Sequence, residues 1–139
     1  MVMGERVIMN REILFKAKRK DNGEWVEGQY VYITNPLTED GKPIKHLVCN
    51  GTNIFNDLID PDTLCQYTGL TDKNGKKIWE NDIVHCGTKL RVSWHHFKAS
   101  WVLSKKGWLY NHFFGEAVEP EDVEVVGNVF DNPELLEVE

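Results

Sequence analysis

The sequence lacks the features that most often reveal a membrane or catalytic function. No apolar run approaches the roughly 20 residues that a membrane-spanning helix needs, and residues 1–10 contain no apolar segment typical of a signal peptide. The fingerprints of serine hydrolases, P-loop enzymes, dinucleotide-binding proteins and HExxH zinc enzymes are all missing. We therefore predict a cytoplasmic protein without a membrane partner or a cofactor.

Cysteine is scarce, and its spacing is uninformative. The three cysteines Cys49, Cys65 and Cys86 are an odd number, and no two of them form a Cys-x-x-Cys pair. This pattern disfavours both a disulfide framework and a cysteine-rich zinc site. We predict reduced, partly buried thiols.

Helical periodicity is also missing, because no segment repeats apolar residues at i, i+3, i+4 and i+7. Residues 13–19 and 89–94 instead alternate apolar and polar side chains, as half-buried strands do. Turn signals recur about every eight to twelve residues, which is typical of a small barrel or sandwich. We predict a mainly β fold of many short antiparallel strands, with a short C-terminal helix that begins at Asn132-Pro133.

The chain of 139 residues suits one domain with a small accessory lobe. We predict a disordered extension over residues 1–9 and an N-terminal β-hairpin lobe over residues 10–60. Residues 61–139 are predicted to form a barrel-like region, similar to a small SH3-like barrel, that carries the terminal helix.

Residues 66–86 form the most informative stretch. Asn74-Gly75 predicts a hairpin with a type I′ turn, in which both central residues have positive φ. The tip residues Asp72, Lys73 and Asn74 are candidates for contact with a partner, although a purely structural hairpin explains the stretch as well.

Charge is distributed unevenly along the chain, whose net charge is −6. Residues 116–139 hold nine acidic residues and no Lys or Arg, while residues 1–115 hold the other 13 acidic residues and all 16 basic ones, which leaves +3. Three interpretations stay open for the acidic segment. It is a solvated tail, it pairs with the basic run at residues 16–20, or it mimics nucleic acid.

The basic run is itself a candidate contact surface, made of Lys16, Lys18, Arg19 and Lys20 beside Trp25. Basic and aromatic side chains on a β surface can bind and stack nucleic-acid bases, so a nucleic-acid-associated β module is an alternative function. A pI near 5.4 disfavours this alternative, because binding to phosphates depends on positive surface charge.

The histidines and one pair of carboxylates give only weak support for an enzymatic function. Neighbouring residues of a strand point to opposite faces, so a metal-dependent hydrolase could use only a set such as His85, His96 and His112, which no spacing selects. Glu80 and Asp82 stand two apart and would share a face, but a turn explains Asp82 equally well. We predict no metal site, no catalytic residue and no enzymatic activity.

Several separated motifs together resemble the YopX family, small proteins encoded mainly by phages and prophages of Gram-positive bacteria. The matching segments span almost everything from residue 10 onward and are REILFKAKR (11–19), GEWVEG (23–28), DPDT (60–63), residues 66–84 and VVGNVFDNPELL (125–136). The family usually has Glu-Gly-Asp where this chain has Glu80-Asn81-Asp82. Because Asn tolerates positive φ best after Gly, the substitution predicts a left-handed turn at Asn81.

The resemblance implies a β-rich, oligomeric fold and brings no enzymatic activity with it. Five Trp, six Phe and four Tyr residues are more large aromatics than a small barrel readily buries. We therefore predict a non-enzymatic accessory protein of a phage or prophage. It would act in the bacterial host cytoplasm by contact with an unknown host or phage protein and by self-assembly into a homo-oligomer.

Overall fold

A computed structural model of the chain describes residues 12–37, 39–41, 43–50, 53–106, 112–114, 116 and 118–136. The extension predicted for residues 1–9 lies outside the described residues. The described part contains the strands β1 (Phe15–Lys18), β2 (Trp25–Leu37), β3 (Pro43–Asn50), β4 (Asn53–Leu58), β5 (Cys65–Thr71), β6 (Lys77–Trp79), β7 (Asp82–His85), β8 (Lys89–His95), β9 (Ser100–Ser104), β10 (His112–Phe113) and β11 (Glu124–Asn128).

These strands form two antiparallel sheets, which confirms the predicted mainly β fold. One sheet has six strands in the order β4-β3-β2-β1-β5-β6, and the other has five in the order β10-β9-β8-β7-β11. Within the described ranges, no strand pairing joins β10 to β11. Closure into an SH3-like barrel therefore stays a prediction.

The helical residues of the described part are confined to the 3-10 turns Pro61–Thr63, Pro120–Asp122 and Pro133–Leu136. The last of these is the predicted C-terminal helix, reduced to a single turn in which the Leu135 N–H donates to the Asn132 carbonyl at 3.0 Å. No helix in the described ranges has the length and apolar character to cross a membrane.

The change from one sheet to the other falls between Trp79, which ends β6, and Asp82, which begins β7. Strands β5 and β6 thus extend the sheet of the N-terminal strands. The division of the chain at residue 60 into two lobes stays a prediction, but the sheets themselves change about twenty residues later.

The described residues contain two buried clusters, and Ile78 of the six-stranded sheet belongs to the larger of them. The five-stranded sheet carries the larger one, in which Leu90 and Val92 of β8 are buried while Arg91 between them is exposed. The smaller cluster lies under the six-stranded sheet around Ala17, Val48 and Ile59. Full burial of one aliphatic side chain stabilises a fold by about 1.5–3 kcal/mol. The apolar side chains at alternate strand positions, which point into the core, therefore supply most of the stabilising buried surface.

The predicted type I′ turn at Asn74-Gly75 is wrong. Gly75 has a φ of 79°, but Asn74 is not among the residues with positive φ. The Asp72 N–H donates to the Lys76 carbonyl at 2.8 Å, and the Asp72 carboxylate accepts from the N–H groups of Asn74 and Lys76 at 2.8 and 2.9 Å. The Gly75 N–H also donates to the Asp72 carbonyl at 3.0 Å. The loop therefore has three residues, with glycine alone among them in the left-handed conformation.

Candidate functional site

The turn between β6 and β7 connects three parts of the molecule. Asn81 at its centre has a φ of 70°, which confirms the predicted left-handed turn. Its N–H donates to the Val92 carbonyl at 2.8 Å, and its carbonyl accepts from the Val129 N–H at 2.9 Å. The turn is therefore fixed both to β8 and to the segment that follows β11.

Asp82, the next residue after this turn, carries a buried carboxylate. It is 3% exposed, and its Oδ2 accepts from the Trp79 N–H at 2.8 Å. Lys16 Nζ lies 3.9 Å from Oδ1. Burial raises the pKa of Asp82 to about 6, against the opposing effects of the Trp79 N–H and the Lys16 charge.

Glu80 has different partners from Asp82. Its Oε1 accepts from the Gln66 N–H of β5 at 3.1 Å, and its own N–H donates to the Gln66 carbonyl at 2.9 Å. The acid–base pair considered from the sequence is thus divided between two structural tasks. One carboxylate holds strand β5, and the other faces Lys16.

The lysines of β1 surround two indole rings. Lys16 Nζ lies 4.7 Å from the Trp25 ring centroid and 5.1 Å from that of Trp79. Lys18 Nζ lies 5.4 Å from the Trp25 ring. Cation–π contacts of this kind contribute about 0.5–2 kcal/mol, so these side chains stabilise the surface on which they lie.

The acidic C-terminal segment meets the same residues through Asp131. Lys18 Nζ lies 2.5 Å from Asp131 Oδ1, and Trp25 Nε1 donates to Oδ2 at 2.8 Å. The hydrogen bonds from Lys18 and Trp25 lower the pKa of Asp131 to about 2. At this position, internal pairing with the basic run is the interpretation that the structure supports.

The rest of the basic run differs in exposure. The Arg19 guanidinium donates two hydrogen bonds to the Asp21 carboxylate, from Nε at 2.9 Å and from Nη2 at 2.7 Å, and these bonds lower the pKa of Asp21. Lys20 is exposed. Three of the four predicted basic contact residues therefore have a carboxylate partner within 4 Å, which reduces the positive field they would offer a phosphate backbone.

The predicted contact residues in the β5–β6 turn also differ in exposure. Asp72 is 5% exposed, and its Oδ2 accepts from the Val125 N–H at 2.9 Å. Burial opposes ionisation of this carboxyl, but its bonds from the N–H groups of Val125, Lys76 and Asn74 together lower its pKa. Asp72 thus anchors the β5–β6 turn to β11, while Lys73 and Asn74 are exposed.

A cleft of about 400 Å³ lies beside Asp82. It is lined by charged side chains of both signs, which include Lys16, Lys76 and Asp82 itself.

The described residues contain no group of three or more His, Cys, Asp or Glu side chains that could hold a metal. His85, His96 and His112 are accordingly not brought together as such a group. The three cysteines are free thiols, as predicted, and burial raises the pKa of Cys65 to about 11.

A second region, at the far end of β8 and β9, was not predicted as a contact surface. The turn between these strands, His96–Ala99, is exposed throughout, and its Phe97 is 90% exposed. Ala99 has a φ of 48°, which turns the chain back into β9. In the sequence the apolar residues change from even to odd positions near His95, from Val92 and Trp94 to Phe97 and Ala99. No local rule identifies Phe97 as uncovered.

A groove of about 410 Å³ begins beside this turn. Trp94, which is 46% exposed, lines it together with Trp101, and the two rings contact edge to face at 5.0 Å between centroids. On the other side the groove is lined by the six-stranded sheet and the residues that precede it, including Glu12, Ile13, Tyr67 and Leu70. We call the exposed turn at residues 96–99 the tip and this cavity the groove.

The fold and these two regions define a small protein of two antiparallel β-sheets, joined at a hydrogen-bonded turn and bearing exposed aromatic side chains. The model of the YopX protein family matches residues 14–137. The chain therefore belongs to the YopX family.

A solved structure supports the fold independently. The crystal structure of protein EF1440 from Enterococcus faecalis is similar with a TM-score of 0.54 and 21% sequence identity, over 91% of this chain and 99% of that chain. At this identity the likeness concerns the fold alone. No curated protein sequence matches the chain significantly.

Proposed function

We propose that this YopX-family protein is a non-enzymatic accessory protein of a phage or prophage, which acts in the cytoplasm of the bacterial host. It works through contact with a host or phage protein and through self-association. The proposal is supported by the source of the family's members and by the exposed aromatic surface at the tip.

Phe97 is the observation on which the contact function depends most. A phenylalanine that is 90% exposed leaves nearly all its apolar surface in water, and burial of such a ring stabilises a complex by about 1.5–3 kcal/mol. It stands beside a half-exposed tryptophan and a groove rather than alone, and apolar surface grouped in this way marks sites of protein contact. Aromatic side chains at the centre of interfaces also contribute most of the binding energy.

The ionisable groups support a non-enzymatic role. Asp72 and Asp131 accept hydrogen bonds that keep their carboxylates ionised and fixed in place. Asp82 is held by a backbone N–H and a lysine at the junction of the sheets. These carboxylates therefore connect strands, a task that restricts the movement that acid–base catalysis needs.

Sedimentation of the full chain between about 1 μM and 1 mM tests self-association, since weak assemblies form in this range. We expect the mean mass to rise with concentration. A monomer throughout would reject self-association, and affinity capture from induced host cells would then test the remaining contact function. Binding to DNA or RNA that weakens steeply with salt would favour the nucleic-acid module instead.

A further inference from the structure

We infer that the partner of the tip is a second copy of this chain, whose groove receives Phe97. The inference rests on the proposed self-association and identifies its surface. Each copy carries both a projecting aromatic residue and a cavity beside it, so one face of the molecule is complementary to itself.

The tip has the properties of an inserting element. Its four residues are all exposed, and Phe97 projects with 90% of its surface in solvent. The turn is held in shape by a hydrogen bond from the Lys98 N–H to His95 Nδ1 at 3.1 Å and by the ring contact of His96 with Phe97 at 5.0 Å. A turn that is already ordered loses less conformational entropy on binding.

The groove has the properties of a receiving site. Its volume of about 410 Å³ lies within the range of about 300–1,000 Å³ in which proteins bind small organic groups, so an aromatic ring fits inside. Trp94, which is 46% exposed, and the partly buried Trp101 offer ring surfaces for an edge-to-face contact, which is the arrangement that aromatic pairs prefer.

Opposite charges on the tip and the groove favour a second copy of the chain as the molecule that fills the groove. Glu12 is the one charged side chain among the described residues that line the groove, and Lys98 is the charged residue of the tip. Both are exposed. Insertion of Phe97 into another copy's groove brings the Lys98 ammonium toward the Glu12 carboxylate, and opposite charges steer and orient such an encounter.

The same face supplies both parts of the contact. Ala99, the last residue of the tip, and Trp94, which is separated from the tip by one residue, also line the groove. Two copies related by a two-fold axis can therefore exchange tips, each filling the groove of the other, as an isologous interface requires. The contact is small, so we expect a dissociation constant on the order of micromolar.

The first test compares Phe97→Ser with Tyr32→Ser in sedimentation of the full chain. Tyr32 is 54% exposed on β2, in the other sheet, and serves as the matched control. Phe97→Ser should weaken self-association at least about 100-fold, because two rings are left without burial in each pair. Tyr32→Ser should leave association unchanged, and urea unfolding should show both variants folded.

The second test reverses the charges. Lys98→Glu and Glu12→Lys should each weaken self-association about tenfold, because two pairs of like charges replace two pairs of opposite ones. An equimolar mixture of the two variants should regain wild-type affinity, since each tip then meets a groove of opposite charge. No local effect within one copy produces this rescue.

The outcomes separate the inference from the function on which it rests. A wild-type chain that stays monomeric overturns self-association and the interface together, and leaves the groove to a partner of different sequence. A wild-type chain that associates equally well with Phe97→Ser overturns the interface alone. Failure of the mixture to recover overturns the pairing of the tip with the groove of another copy.

Discussion

Asp82→Asn removes an ionisable group at the junction of the two sheets with almost no change in volume. In the folded chain burial raises the pKa of Asp82 from its usual 3.8 to about 6. At 1.36 kcal/mol per pKa unit, this rise corresponds to about 3 kcal/mol of free energy that opposes ionisation in the folded state.

The sign of the pH dependence follows from the direction of this shift. A carboxyl whose pKa is raised on folding contributes most to stability when it is protonated, below the unfolded pKa of 3.8. That contribution disappears as the pH rises through about 6. The asparagine variant has no such dependence. We therefore expect wild-type stability, relative to Asp82→Asn, to fall by about 3 kcal/mol between pH 3.5 and pH 7.5.

Urea unfolding of both proteins at several pH values measures this difference, with tryptophan fluorescence as the signal. Trp79 lies next to Asp82 and should report the transition. Other carboxylates titrate in both proteins, so the difference between the two curves isolates Asp82. Parallel stability profiles from pH 3.5 to 7.5 would refute the account of a buried, destabilised carboxylate at the sheet junction.

Further substitutions test the other anchors, each by urea unfolding at pH 7. Asp72→Ala should cost about 2–4 kcal/mol, because three backbone N–H groups lose their acceptor; Asp72→Asn should cost about half as much, since only one oxygen remains. Asn81→Val should cost about 1–3 kcal/mol at a φ of 70°. Asn81→Gly keeps this conformation and loses the hydrogen bond from Arg91 to Asn81 Oδ1, so it should cost only about 0.5–1.5 kcal/mol. Gly28→Ala should cost more than about 2 kcal/mol, because the added Cβ overlaps the Cys49 carbonyl, whereas Gly23→Ala meets open space and should cost only about 1 kcal/mol.

Local rules predicted the features that depend on neighbouring residues in the chain. The period-two alternation of β8 placed Leu90 and Val92 in the core, and the preference of Asn for positive φ identified the turn at Asn81. A glycine inside a strand is typical of a bulge or a close backbone approach, and at Gly28 of β2 an added Cβ would meet the chain of β3. In each case steric rules at one position determine the outcome.

One missed feature depends on a partner far away in the sequence. Asp72 looked like an exposed turn residue, but its second oxygen accepts from Val125, 53 residues later, and this contact buries it. The type I′ prediction failed for a local reason, since Asn-Gly alone does not reveal that the Asp72 carboxylate will accept from the N–H groups of Asn74 and Lys76 in a three-residue loop. Phe97 is the reverse case. Its apolar side chain is exposed in the structure, and its position beside alternating strands gives no local sign that it remains uncovered.

The residues that anchor the two sheets and the residues of the exposed tip lie in different parts of the sequence. The anchors Asp72, Asn81 and Asp82 lie within residues 66–84, and Asp131 lies within 125–136, which are segments that carry the resemblance to the YopX family. The tip at residues 96–99 lies outside every such segment. Because the anchors determine how the sheets meet and the tip does not, the family motifs account for the frame. We therefore expect other family members to share this junction while presenting different side chains at the end of the β8–β9 hairpin.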